Sequence, residues 1–296
     1  MKRHLSREDL WIARWTRALG PPRLPSLRHG PGHDCAVLAP PSRKLDLVLK
    51  TDSVVEGVHF LPSTPAPLAG RKALARALSD LAAAGATPTA ALVTAGCPDK
   101  KSAARLASIY RGLASTARRW GVTVVGGETV RTRQLLLSVS LLGTVPSGRS
   151  PHRGGARPGH LLFVTGTLGG SWPRKHLTFT PRLREGRWLA RKKIPSAMMD
   201  LSDGLGADLP RLARMSRIGF RLLSKKIPRV AGANIRQAIS RGEDYELLFA
   251  VPPAKAARLR KTWPFPTRLT EIGVCLPAGA GFQADGLSLQ GYDHLR

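Results

Sequence analysis

GRKALARALSDLAAAGATPTAALVTAG, residues 70–96, is the stretch from which the fold is read. Its first part, 70–86, sets Leu74, Leu78 and Leu81 on one face at helical spacing. Asp80 lies off that stripe, among alanines small enough to let another element come close. The second part, 87–96, reads as a strand. A helix that hands straight on to a strand calls for layered α and β structure.

The same alternation extends in both directions. Upstream, LDLVLKTD (45–52) is an apolar run ending at Asp52, a strand that delivers Thr51 and Asp52 to a loop. Downstream, Ser102 can cap a long helix through Trp120, and Gly121 suits its C-terminal stop. VTVVGGE (122–128) is a strand running into a double glycine and Glu128, and QLLLSVSLLGTV (134–145) is a further strand. The basic, Gly/Pro-bearing PSGRSPHRGGARPG (146–159) is the best boundary, dividing the chain into 1–147 and 148–296. Beyond it, HLLFVTGTLGG (160–170) is a strand entering a Gly-rich loop. AMMDLSDGLGADLPRLARM (197–215) is a strand, an acidic turn and a helix, and EDYELLFAVP (243–252) is a strand preceded by acids. The expected class is α/β or α+β, in two domains, as 296 residues also suggest.

Cys35, Cys97 and Cys275 have no paired spacing, which fits a reducing cytoplasm better than a disulfide framework or a zinc site. The charged start lacks the apolar core of a signal peptide, and no run of roughly 18 apolar residues exists to span a membrane. Lys and Arg total 47 against 19 acids, a formal charge of +28, which attracts phosphorylated metabolites, anionic lipid or nucleic acid. The basic residues are spread along the chain, as on a solvated surface, and no aromatic-interleaved nucleic-acid motif accompanies them. Specific nucleic-acid binding is therefore not expected.

The scarce acids say more than the abundant bases. Asp34, Asp52, Glu56, Asp80, Glu128, Asp200, Asp203, Asp208, Glu243, Asp244 and Glu246 fall in short motif segments, several at strand ends or beside glycines. Carboxylates gathered in one pocket raise each other's pKa unless a cation relieves them, and Mg²⁺ prefers oxygen from a few carboxylates plus phosphates. Taken singly, each motif leaves a plainer reading open. Asp34 and Asp52 suit turns, Asp80 a solvated helix face, Gly126-Gly127-Glu128 a tight turn, and Asp200, Ser202 and Asp203 helix caps. His59 can be structural as well as an anion contact, and Arg153 a surface base as well as a phosphate ligand. No P-loop string, protein-kinase catalytic loop or dinucleotide fingerprint occurs.

The order of these segments resembles the thiamine-monophosphate kinases, of the ATP-using superfamily that includes aminoimidazole-ribonucleotide synthase. GPGHDCAVL, LKTDSVVEGVHF, KALARALSDLAAAGATP, VVGGETVR, GARPGHLLFVTGTLG, MMDLSDGLGADL, RGEDYELLF and the terminal GYDHL carry the resemblance over nearly the whole chain. It implies an N-terminal sheet-plus-helix domain that forms a barrel-like core with a second copy, a C-terminal α/β layer domain, and a site in the cleft between them. ATP would donate its γ-phosphate to thiamine monophosphate with the help of several Mg²⁺ ions. By resemblance, Asp34, Thr51, Asp52, Asp80, Glu128, Asp200 and Asp203 match metal positions. Gly127, Glu128, Arg153 and Ser202 match nucleotide contacts, and His59, Glu243 and Tyr292 match acceptor contacts. Four residues depart from the family's pattern. His33 stands for the first acid of Gly-Asp-Asp, Lys50 for a small Ser or Thr, Glu128 for an Asp, and Arg241 for a glycine. The alternatives are a superfamily relative with another acceptor, an impaired homologue, or a nucleic-acid binder on the same fold.

Overall fold

A computed structural model describes residues 26–29, 33–39 and 44–293. Gly30, Pro31 and Gly32 of the glycine segment lie outside the described residues. The architecture is mixed α/β, built on two six-stranded sheets. The first contains β1 (Leu27–His29), β2 (Ala36–Leu38), β3 (Leu45–Val55), β4 (Thr87–Cys97), β5 (Thr123–Arg131) and β6 (Leu136–Pro146), in the order β1-β2-β3-β6-β4-β5. All its pairings are antiparallel except β4 with β5. The second contains β7 (Leu161–Thr165), β8 (Ala197–Asp200), β9 (Gly219–Leu222), β10 (Leu247–Val251), β11 (Leu269–Leu276) and β12 (Phe282–Gln283), in the order β12-β9-β11-β7-β10-β8. Every strand of the first sheet precedes Ser147, and every strand of the second follows His160, so the basic stretch at 146–159 joins them.

Two helices, α1 (Ala66–Ala83) and α2 (Lys100–Trp120), pack with the first sheet. The second carries α3 (Leu183–Arg191), α4 (Leu205–Ser216), α5 (Ile235–Ser240) and α6 (Pro253–Thr262). Helix α1 is not amphipathic in place. It is buried nearly all round, because Leu74, Leu78 and Leu81 share one core with Val48 and Val139 of the first sheet and Phe163, Met198 and Phe249 of the second. The opposite face of the second sheet, with Leu162, Val164, Met199 and Leu248, packs on Leu209 and Leu212 of α4. Strands β8 and β10 are therefore covered on both faces, which is why they read as apolar runs, β8 as far as its terminal Asp200.

Glycines permit the close crossing of α1 and α2. A Cβ on Gly112 would lie 1.9 Å from the Pro67 carbonyl oxygen, and one on Gly70 equally close to that of Ile109. Gly112→Ala is therefore expected to cost about 2 kcal/mol or more, since neither backbone can yield locally. A thermal melt matching the parent's would contradict that packing.

Two local expectations change. Helix α2 is capped by Asp99, whose carboxylate accepts from the Ser102 backbone N–H at 2.7 Å, so Ser102 is the capped residue. Gly121 ends the helix in the left-handed conformation at φ 68°, as the sequence suggests. Strand β5 does not stop at the double glycine but runs through it to Arg131. A Cβ on Gly127 would sit 1.9 Å from the Val93 carbonyl oxygen of β4, so the bare backbone is required by the parallel neighbour.

Candidate active site

Strand alternation and one helix build the site. Along β3, Asp46, Val48, Lys50, Asp52 and Val54 alternate with more exposed residues, so Lys50 and Asp52 point to the α1 side of the sheet. On α1, Lys72, Arg76 and Asp80 recur every four residues and form one polar row, with Ser79 beside it. Asp200 ends β8, where the chain leaves the sheet for α4.

These elements bring Asp34, Asp80 and Asp200 together, all buried, with one carboxylate oxygen from each lying within 4.8 Å of the others. Asp52 completes the group beside them. The chain supplies cations to most of it. Lys50 Nζ is 3.0 Å from Asp80 Oδ1, Arg76 is 3.5 Å from Asp52, and Arg153 grips Asp34 with two N–H donors at 2.7 and 3.1 Å. Asp200 instead accepts a 2.6 Å bond from Ser79 Oγ. Burial, then the charge of Asp34, pushes Asp200 up to about 7. Burial also holds Asp80 well above the usual carboxylate range, although Lys50 opposes it. Hard oxygen donors held this close, with raised proton affinity, fit a divalent cation such as Mg²⁺.

A second constellation adjoins the first. A narrow pocket of about 70 Å³ is lined by His59, Arg76, Trp172, Ser202, Asp203, Glu243, Tyr245 and Tyr292, among others. Glu243 and Tyr245 hold left-handed backbone at φ 67° and 52°, an arrangement that costs about 1–3 kcal/mol each and clusters at functional sites. Lys72, wholly buried, donates to the His59 carbonyl, to His176 Nδ1 at 2.7 Å and to Glu243 Oε1 at 2.6 Å. His176 Nε2 lies 3.0 Å from the Pro173 carbonyl and so carries a proton, while Nδ1 lies between Lys72 Nζ at 2.7 Å and Glu243 Oε2 at 3.2 Å. Arg76 Nε is buried without a hydrogen-bond partner among the described residues. Burial alone would raise Glu243, but its close contacts with His176 and Lys72 outweigh that and hold it at about 2. Burial lowers Lys72 to about 8 despite Glu243. A ligand offering an acceptor to Arg76 would complete the pocket.

The sequence-derived residues divide between these places. Asp34, Asp52, Asp80 and Asp200 converge, with Arg153 among them. His59, Ser202, Asp203, Glu243 and Tyr292 line the pocket. Asp203 pairs with Arg211, and Asp208, pushed up to about 8 by burial and then by Asp203, accepts from the Asp203 backbone N–H at 2.9 Å. Gly204 rather than Ser202 or Asp203 occupies the N-cap of α4, so the capping alternative for those side chains falls away. Thr51 and Glu128 are exposed and lie outside the close trio, Thr51 lying 3.3 Å from Ser140 Oγ and Glu128 pairing in register with Thr94. Arg76, Lys72, Trp172 and His176 were not anticipated. The four-residue spacing of Lys72, Arg76 and Asp80 was the available signal for the first two.

Comparison with known proteins bears on what this arrangement belongs to. The family described as AIR synthase related protein, N-terminal domain, matches residues 32–145. Thiamine-monophosphate kinase of Rhodopirellula baltica is 35% identical over 271 residues, covering 85% of this chain and 84% of that protein. The chain belongs to the thiamine-monophosphate kinase family. The Salmonella typhimurium thiamine-monophosphate kinase is 33% identical over 327 residues, covering 96% of this chain and 97% of that one. A solved structure, AaThiL complexed with AMPPCP and TMP, superposes with a TM-score of 0.83 at 30% identity, covering 99% of this chain and 98% of that chain. Within a thiamine-monophosphate kinase frame, Arg241 is readily accommodated. Its φ of −78° and ψ of 125° are ordinary extended backbone, so a side chain fits there without strain.

Proposed function

We propose that the chain transfers the γ-phosphate of ATP to the phosphate of thiamine monophosphate, forming thiamine diphosphate. The observation that carries this reading is the convergence of Asp34, Asp80 and Asp200 beside a pocket into which Arg76 brings a buried, unpartnered donor. Family membership gives the acceptor its identity, since relatives covering most of the chain are named for that activity.

Phosphoryl transfer asks the protein for alignment and electrostatic stabilisation. Asp34, Asp52, Asp80, Asp200 and Asp203 would hold Mg²⁺, with Thr51 and Glu128 as further oxygen donors. Bound there, the ions would screen the charge on the transferring oxygens. Gly127, Arg153 and Ser202 would contact the nucleotide, and Glu128 with them. His59, Glu243 and Tyr292 would contact the acceptor. Arg76 Nε suits its anionic end. An ionised phosphate oxygen attacks, so no strong general base is needed, and the pocket has only to exclude water and fix the line of attack.

The remaining organisation follows the same reading. Residues 1–147 form the ATP- and metal-binding domain and 148–296 a C-terminal α/β domain, with the site in the cleft between them. The first sheet leaves Leu49, Leu92 and Val125 exposed along one apolar groove, which supports pairing with a second copy into a barrel-like homodimer. Among the described residues no helix is long and apolar enough to cross a membrane. Cytoplasmic placement agrees with the three free cysteines.

Purified protein given ATP, Mg²⁺ and thiamine monophosphate is expected to yield thiamine diphosphate, resolved by chromatography. No product at any Mg²⁺ concentration, together with tight and salt-sensitive nucleic-acid binding, would overturn this reading.

A further inference from the structure

The distribution of charge inside the carboxylate group is uneven in a way that bears on its metal content. Asp34 is tied to Arg153, Asp52 to Arg76 and Asp80 to Lys50, whereas Asp200 holds a hydroxyl. Among the described residues, these four carboxylates thus face three cations of the chain itself. Two of those cations are arginines, planar and delocalised. The third, Lys50, is a compact point charge with three donors, the side-chain group that most resembles a small metal ion. It enters from β3 at an inward position between Val48 and Asp52. Its side chain is 22% exposed, and its Nζ lies 3.0 Å from Oδ1 of Asp80.

Asp80 is the residue on which the group turns, since Asp34, Asp52 and Asp200 all act on it electrostatically. A Mg²⁺ ion takes carboxylate oxygen at about 2.0–2.1 Å. An ion on the Lys50 side of Asp80 would therefore lie within a few ångströms of the ammonium, and like charges would exclude it. An ion on the side of Asp34 and Asp200 would not.

We propose that the Lys50 ammonium is a built-in cation that takes the place of one divalent ion at Asp80, so that this chain holds one metal fewer than the same chain with a small residue at position 50. The inference rests on the reading of the carboxylate group as a divalent-metal centre. Lys50 is a positioning residue here. It holds Oδ1 of Asp80 in place at 3.0 Å while the remaining oxygens bind metal.

The test counts ions. Full-length protein and Lys50→Ser are titrated with Mn²⁺ alone, without nucleotide, and bound ion is read by electron paramagnetic resonance and calorimetry. Lys50→Ser is expected to bind about one additional Mn²⁺ per chain. Its melting temperature in EDTA should also fall by roughly 5 °C or more and recover in Mg²⁺, while the parent changes little. Lys50→Thr, which suits a strand and offers the same hydroxyl, is the second variant should Lys50→Ser not fold, and Lys50→Arg should keep the parent's count. Equal, non-zero counts in parent and variant would overturn the role of Lys50 and leave the metal centre standing. No ion bound by either protein would overturn the metal centre itself, and this inference with it.

Discussion

Asp80→Asn is expected to lower turnover by at least about a thousandfold, because on the proposed reading several kcal/mol of charge stabilisation would reach the transferring phosphate through metal held by the group that Asp80 centres. Asparagine keeps the shape and removes one full ligand charge. Folding should change little, by about 1 kcal/mol or less. Burial and neighbouring acids already oppose ionisation of Asp80, and Lys50 keeps Asp52 within its electrostatic reach. The measurement is a steady-state rate beside a thermal melt. A near-normal rate in a folded variant would show that Asp80 serves no metal.

The largest effect on stability is expected from Lys72→Met. Methionine matches the length of the buried side chain but donates no hydrogen bond. The His59 carbonyl, His176 Nδ1 and the Glu243 carboxylate would each lose a partner at once. Removing one member of a buried ion pair typically costs about 3–5 kcal/mol, which for a chain of this size is a fall in melting temperature of roughly 10 °C. Because the penalty comes from a stranded carboxylate, adding Glu243→Gln should recover part of it. A double variant no more stable than Lys72→Met would place the loss elsewhere. An unchanged melt in the single variant would refute the buried network.

Much of this was legible in the sequence, for identifiable reasons. The apolar runs of β7, β8 and β10 name themselves, since strands covered on both faces carry apolar side chains along their length, with Asp200 only at the end of β8. Asp80 stood out because an acid among alanines on a leucine helix has either water or a purpose, and it is 6% exposed. The stop at Gly121 needed only a left-handed position. Other features depended on partners distant in the chain. Asp99 and Ser102 are both good caps, and only the backbone path decides between them. The extent of β5 past Gly127 is set by its parallel neighbour and not by its own residues. Lys72 and Arg76 read locally as solvated bases on α1, but two sheets close over the helix and turn them into buried donors to Glu243 and Asp52. Lys50 was visible as out of place in the family's pattern, while its partner, thirty positions later, was not.

The claim beneath the whole account is that oxygens from Asp34, Asp80 and Asp200 jointly bind divalent ions. Anomalous diffraction from crystals grown with Mn²⁺ and an ATP analogue tests it most directly. The expected result is a strong peak within bonding distance of oxygens from at least two of these residues, next to the nucleotide's phosphates. Well-ordered nucleotide with no anomalous peak at that cluster, in a preparation that still forms thiamine diphosphate, would contradict it.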